Sequence, residues 1–76
     1  MERQYTIVIE PDQTERMYTV TVPVLPGCVT QGATVEQCIH RAKEAIAAWI
    51  ADAEAMGEPV PDEIEPARAI TIVVAA

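Results

Sequence analysis

Between Thr34 and Gly57 the apolar residues recur with a helical period, and no other part of the chain carries that period. At 100° per residue, Val35, Cys38, Ile39, Ala42, Ile46, Trp49, Ile50, Ala53 and Met56 share one arc about 120° wide. Glu36, Gln37, His40, Arg41, Glu44, Ala47, Ala48, Ala51 and Glu54 fall outside it. Thr34, with Gln37 three positions on, has the capping-box spacing that satisfies N–H groups at a helix start. Gly57, with Pro59 two residues later, supplies the stop. A single amphipathic helix of about six turns must bury its stripe against the rest of the chain, and the flanking residues offer only strands.

Those strands announce themselves by a period of two. In residues 4–10, Tyr5, Ile7 and Ile9 alternate with Thr6, Val8 and Glu10. The Pro-initiated polar stretch 11–16 reads as a turn, and residues 17–24 alternate again, with Tyr18, Val20, Val22 and Val24 on one face. Pro23 cannot donate to a ladder, so a gap or bulge is expected near it. Leu25-Pro26-Gly27 turns the chain into a short third strand, residues 28–31. After the helix comes an acidic connector with three prolines, residues 57–66, which Val60 and Ile64 are expected to pin to the body. Residues 68–74 alternate once more, Ile70, Ile72 and Val74 opposite Thr71 and Val73.

The expected fold is therefore α+β, in the order β-β-β-α-β, as one domain over residues 1–76. One helix covers one face of a small mixed sheet of order 3-2-1-4, the last strand joining parallel to the first by a right-handed crossover. That is a partial ribonuclease-H-like arrangement. The other sheet face, carrying Thr6, Val8, Thr19, Thr21, Thr71 and Val73, has no cover within the chain. A chain of 76 residues buries only roughly 60% of its unfolded surface, so self-association is a natural source of further stability.

Twelve acidic residues against five basic ones give a net charge of −7. A field of that sign disfavours nucleic acid and anionic membrane, and suits a basic protein partner. The apolar runs are too short to span a bilayer and the N-terminus has no signal-peptide character, so a cytoplasmic protein is expected. Cys28 and Cys38 form no CxxC motif and read as reduced, structural thiols.

Catalytic and metal readings do not gather enough residues. Two-metal nuclease chemistry needs clustered carboxylates, yet the covered strand faces offer only Glu10, at a strand end, while Glu36 and Glu44 point away from the sheet. Cys38 and His40, two apart on a helix, diverge by roughly 200° and cannot share a metal. His40 instead has Glu36 and Glu44 one turn to either side. Trp49 on the apolar arc reads as core. No enzyme, cofactor or metal site is expected.

The run Leu25-Pro26-Gly27-Cys28-Val29-Thr30-Gln31-Gly32-Ala33-Thr34-Val35-Glu36-Gln37 resembles the signature of HicB-like antitoxins. Ala42-Lys43-Glu44-Ala45-Ile46, Trp49 and Gly57-Glu58-Pro59-Val60-Pro61 continue the resemblance over nearly the whole chain. It implies a partial ribonuclease-H-like fold and a role in neutralising HicA, a small basic messenger-RNA-cleaving toxin. Two departures stand out. Val24 occupies a position where members of the family often carry an acidic residue. Many members also append a DNA-binding segment, whereas this sequence ends at Ala76, so direct DNA binding is not expected.

The expected function is thus an antitoxin-like protein that binds a HicA-type toxin. A free-standing regulatory or scaffold domain is the alternative. Glu58, Asp62 and Glu63 on the connector are the candidate partner-binding residues. A homodimer, or a higher homo-oligomer, is expected through the final strand or the uncovered sheet face, with Thr71 and Val73 at the contact.

Overall fold

The computed structural model describes residues 2–75. Strand β1 runs Val8–Asp12, β2 Met17–Thr21 and β3 Val29–Gly32, followed by helix α1, Val35–Ala55. The three strands form an antiparallel sheet in the order β1-β2-β3. Val8 faces Thr21 and Ile9 faces Val20 across the first pair; Val20 faces Thr30 and Tyr18 faces Gly32 across the second. The side chains of Ile9, Tyr18 and Val20 therefore point to the helix, and Val8, Glu10, Thr19, Thr21, Val29 and Gln31 lie on the open side.

The strand boundaries differ from the sequence expectation, β3 by a single residue, at Val29–Gly32 rather than residues 28–31. The first strand lies at Val8–Asp12 rather than residues 4–10, and it includes Pro11 opposite Tyr18. An edge strand tolerates proline because one row of its N–H groups has no partner to satisfy. The turn shrinks to residues 13–16, where the Asp12 carboxylate accepts from the amides of Thr14 and Glu15 at 3.0 and 3.4 Å. Strand β2 stops at Thr21, not residue 24, because Pro23 opens a turn instead of interrupting a ladder.

The largest correction concerns the last strand. Residues 68–74 pair with nothing, so the sheet has three strands and not four in the order 3-2-1-4. The crossover that would complete the ribonuclease-H-like arrangement is not made. Thr71 and Val73 are exposed in an unpaired tail, not on a sheet face. Ile70, Ile72 and Val73 are 78%, 74% and 99% exposed. An alternating pattern specifies strand-compatible residues but not the edge that will accept them.

The helix follows its expectation closely. Thr34 caps it, its hydroxyl accepting from the Gln37 amide at 3.0 Å. The Gln37 side chain reaches back to the amide of Ala33 at 2.6 Å, one residue before the capping box would place it. At the other end Gly57 has φ +71°, and the Glu58 and Gly57 amides donate to the carbonyls of Ala53 and Glu54. That pair of bonds is the Schellman motif, and it needs the left-handed conformation that glycine adopts without strain.

The core lies between α1 and the sheet. Val20, Cys38 and Ala42 form one buried cluster, against which Ile7, Ile9 and Tyr18 pack. Val22, Leu25 and Cys28 form another, flanked by Tyr5, Ile7, Ala45, Ile46 and Trp49. The helix approaches so closely at Gly32 that a Cβ there would lie 2.7 Å from the Cys38 sulfur. The apolar arc is only partly used: Val35, Ile39 and Met56 are exposed, while Ala45, which is not one of its residues, is half-buried. Three strands are too narrow to cover the whole stripe.

Candidate partner-binding surface

The loop after β2 is built from two successive turns. The Leu25 amide donates to the Val22 carbonyl at 3.0 Å, and the Cys28 amide to the Leu25 carbonyl at 3.1 Å. In the second turn Pro26 presets the first central position and Gly27, at φ +77°, takes the second, the pattern of a type II turn. Val22 N–H closes the loop on the Cys28 carbonyl at 3.0 Å. Leu25 is buried at the junction, and the Trp49 indole donates to the Pro26 carbonyl at 2.9 Å. Trp49 thus packs its ring on the core, as expected, and uses its polar edge to hold the loop to α1. Burial pushes the Cys28 thiol above its ordinary range. Both cysteines are free and buried.

The connector is held by polar contacts to the N-terminal segment. Tyr5 Oη donates to the Pro61 carbonyl at 2.6 Å, and the Arg3 guanidinium meets Asp62 at 3.0 Å. The Glu63 carboxylate accepts from the Thr6 amide at 2.8 Å and from the Thr6 hydroxyl. These bonds from Thr6 hold the Glu63 carboxyl below its ordinary pKa, with a smaller contribution from the Ala67 amide. Val60 is half-buried as expected, but Ile64 is 95% exposed, so Ile64 is not a pin. The contacts at Pro61, Asp62 and Glu63 do that work.

Further acidic residues lie at the end of α1 and on the connector. Asp52, Glu54, Glu58 and Glu65 are all exposed, and the last turn of α1 carries no basic residue. Acidic groups there face the negative end of the helix dipole, so this charge placement does not serve helix stability. Beside it, α1 and the N-terminal segment enclose an open groove of about 660 Å³, lined by Tyr5, Ile7, Ile39, Ile46, Ala47 and Ile50 among others.

The HicB-like antitoxin of bacterial toxin–antitoxin systems matches residues 5–71 of the sequence. The chain belongs to the HicB-like antitoxin family. It is 41% identical over 58 residues to a UPF0150 protein of Thermoplasma acidophilum, covering 76% of this chain and 83% of the relative. It is 43% identical over 47 residues to a UPF0150 protein of Archaeoglobus fulgidus, covering 62% of this chain and 67% of that one. The fold is similar to the crystal structure of the N-terminal domain of Burkholderia pseudomallei antitoxin HicB, with a TM-score of 0.63 and 31% identity. That likeness covers 82% of this chain and 69% of the other.

Within this HicB-like domain the candidate residues Glu58, Asp62 and Glu63 share the connector but not the same circumstances. Glu58 is exposed, and its backbone closes the helix. Asp62 is ion-paired with Arg3 yet its side chain stays 71% exposed, leaving it open to a partner. Glu63 is half-buried and committed to Thr6. Sequence reading missed Arg3, Tyr5 and Thr6 as the connector's anchors. A tyrosine hydroxyl on an apolar strand face, which must find an acceptor if buried, was the available signal.

The carboxylates considered for catalysis are scattered. Glu10 is exposed on the open side of the sheet, and Glu36 is in the first turn of α1. Glu44 meets His40 at 3.5 Å on the exposed helix face, and no Glu36–His40 pair accompanies it. Cys38 is buried toward the sheet while His40 faces solvent. Among the described residues no helix is long and apolar enough to cross a membrane.

Proposed function

We propose that this HicB-like protein is an antitoxin that binds a small, basic toxin of the HicA type and blocks its RNA-cleaving site. The observation that carries the reading is the family match over residues 5–71. The similarity to the HicB N-terminal domain supports it independently. The charge of −7, with exposed acids gathered at the end of α1 and on the connector, supports a basic partner. Binding rather than catalysis is the mode of action: the carboxylates are dispersed over separate surfaces, whereas phosphodiester hydrolysis with two metals needs them converging on one point. Glu58 and Asp62 meet the partner, and Glu63 shapes the surface by fixing the connector.

The test is a search beside this gene for a short basic reading frame, followed by its co-expression with this protein. The frame alone is expected to arrest growth, and this protein to restore growth and to co-purify with its product. A harmless frame, or toxicity that persists in the presence of this protein, refutes the antitoxin reading in favour of a scaffold domain.

A further inference from the structure

The groove between α1 and the N-terminal segment has apolar walls and ends of opposite charge. Ile39, Ile46, Ala47 and Ile50 of α1 line it together with Tyr5 and Ile7, and Ile39 and Ala47 are exposed. Ile9 belongs to the buried cluster around Cys38 and Ala42, whereas Tyr5 belongs to the one flanked by Ile46 and Trp49. The N-terminal segment therefore runs antiparallel to α1, and Arg3 with its partner Asp62 comes to the Glu54 end. Arg3 is engaged by Asp62 there, so Glu54 leaves that end acidic. The other end carries Lys43, which makes no ion pair among the described residues.

Strand addition is not open to an occupant of this groove. The Thr6 amide already donates to Glu63, and the side chains of Arg3 and Tyr5 already hold Asp62 and Pro61. An incoming segment must satisfy its own backbone N–H and C=O groups, which a helix does. We propose, on the antitoxin reading above, that the groove receives an amphipathic helix of the basic toxin, lying antiparallel to α1.

Length and charge set the fit and the direction. From Ile39 to Ile50 the helix wall is about 17 Å long at 1.5 Å per residue, the length of about three helical turns. A helix of that length presents apolar anchors at i, i+4 and i+7 to Ile39, Ile46 and Ile50. In the antiparallel direction its N-terminus, the positive end of its dipole, meets Glu54 and the negative end of α1. Its negative C-terminus then lies over Lys43. The parallel direction would reverse both contacts. The acids at the end of α1 and on the connector speed encounter, while the apolar walls, once they exclude water, set the lifetime of the complex.

The probe is the purified product of the basic reading frame beside this gene, with binding to the full chain followed by biolayer interferometry. Ala47→Trp, which fills the groove from an exposed position, is expected to weaken binding about 30-fold, mainly through faster dissociation. Ile39→Asp is expected to act in the same direction. Ala48→Trp, exposed and roughly 160° round the helix from Ile50, is expected to change binding by less than about threefold. All three variants are expected to keep the far-ultraviolet dichroism of the wild type. A benzophenone side chain introduced at Ala47 is expected to cross-link to one helical segment of the toxin. Binding that Ala47→Trp and Ile39→Asp leave unchanged overturns the groove assignment while the antitoxin reading stands. So does a cross-link to a strand or loop of the toxin. A wild type that does not bind the probe overturns both.

Discussion

At the scale of the residue, two positions show how little slack the structure has. Gly32 has ordinary backbone angles for a strand, so its requirement for glycine comes from space alone: Cys38 Sγ, N and Cα would lie 2.7, 2.9 and 3.1 Å from an added Cβ. Two of those three atoms are helix backbone and cannot rotate away. Gly32→Ala is expected to destabilise the domain by about 1–3 kcal/mol, the usual range for overpacking, seen as a lower urea midpoint at unchanged slope. Glu63 is sensitive to protons instead. Its carboxylate is stabilised by the Thr6 hydroxyl and amide, which depresses its pKa in the folded state. The stability it contributes is therefore present above the unfolded glutamate value of about 4.3 and disappears as pH falls through the lower folded value. A carboxyl-detected NMR titration should place the Glu63 midpoint below those of exposed glutamates, and Glu63→Gln should reduce the acid-side loss of stability. A Glu63 midpoint at or above 4.3 refutes the assignment.

The elements differ in how much of each was legible in the sequence. Helix α1 was legible because its period, its Thr34 cap and its Gly57 stop are all local signals, and it runs Val35–Ala55 between them. Thr34→Ala, which removes the acceptor for the Gln37 amide, is expected to cost about 0.5–2 kcal/mol by thermal or urea unfolding. The hairpin was legible as two alternating runs, but prolines moved its boundaries: Pro11 was absorbed into β1 and Pro23 ended β2 early. The final alternating run was legible as strand-forming but not as unpaired, since pairing is decided by geometry far along the chain. The candidate surface divides in the same way. Its acids stand out by composition, whereas Arg3, Tyr5 and Thr6 reach Asp62, Pro61 and Glu63 across 56 to 59 positions, a separation with no local signature. The Leu25-Pro26-Gly27-Cys28 turn lies between these cases: Pro26 and Gly27 mark it, but the bond from Trp49 that holds it appears only once α1 is packed.

At the scale of the whole molecule the dominant quantity is charge. A net −7 on 76 residues opposes compaction slightly and attracts a basic partner over distances set by the ionic strength. The acids at the end of α1 add to that field where the helix dipole is already negative, so on the proposed reading this end of the protein would draw in a cationic surface. Such a field acts mainly on encounter, whereas the lifetime of the complex depends on contacts that exclude water. Raising salt from 0.1 M to 1 M shortens the Debye length from about 10 Å to about 3 Å. Stopped-flow association with the proposed basic toxin should therefore slow by at least tenfold over that range, while the dissociation rate changes far less. Glu58→Lys with Asp62→Lys should lower the low-salt association rate and flatten its salt dependence. Glu63 is left unaltered in that variant because reversing it would release the connector from Thr6 and confuse recognition with folding. Equal slowing of wild type and variant by salt would place the steering charges elsewhere on the surface. An association rate insensitive to salt would remove electrostatic steering from the account altogether.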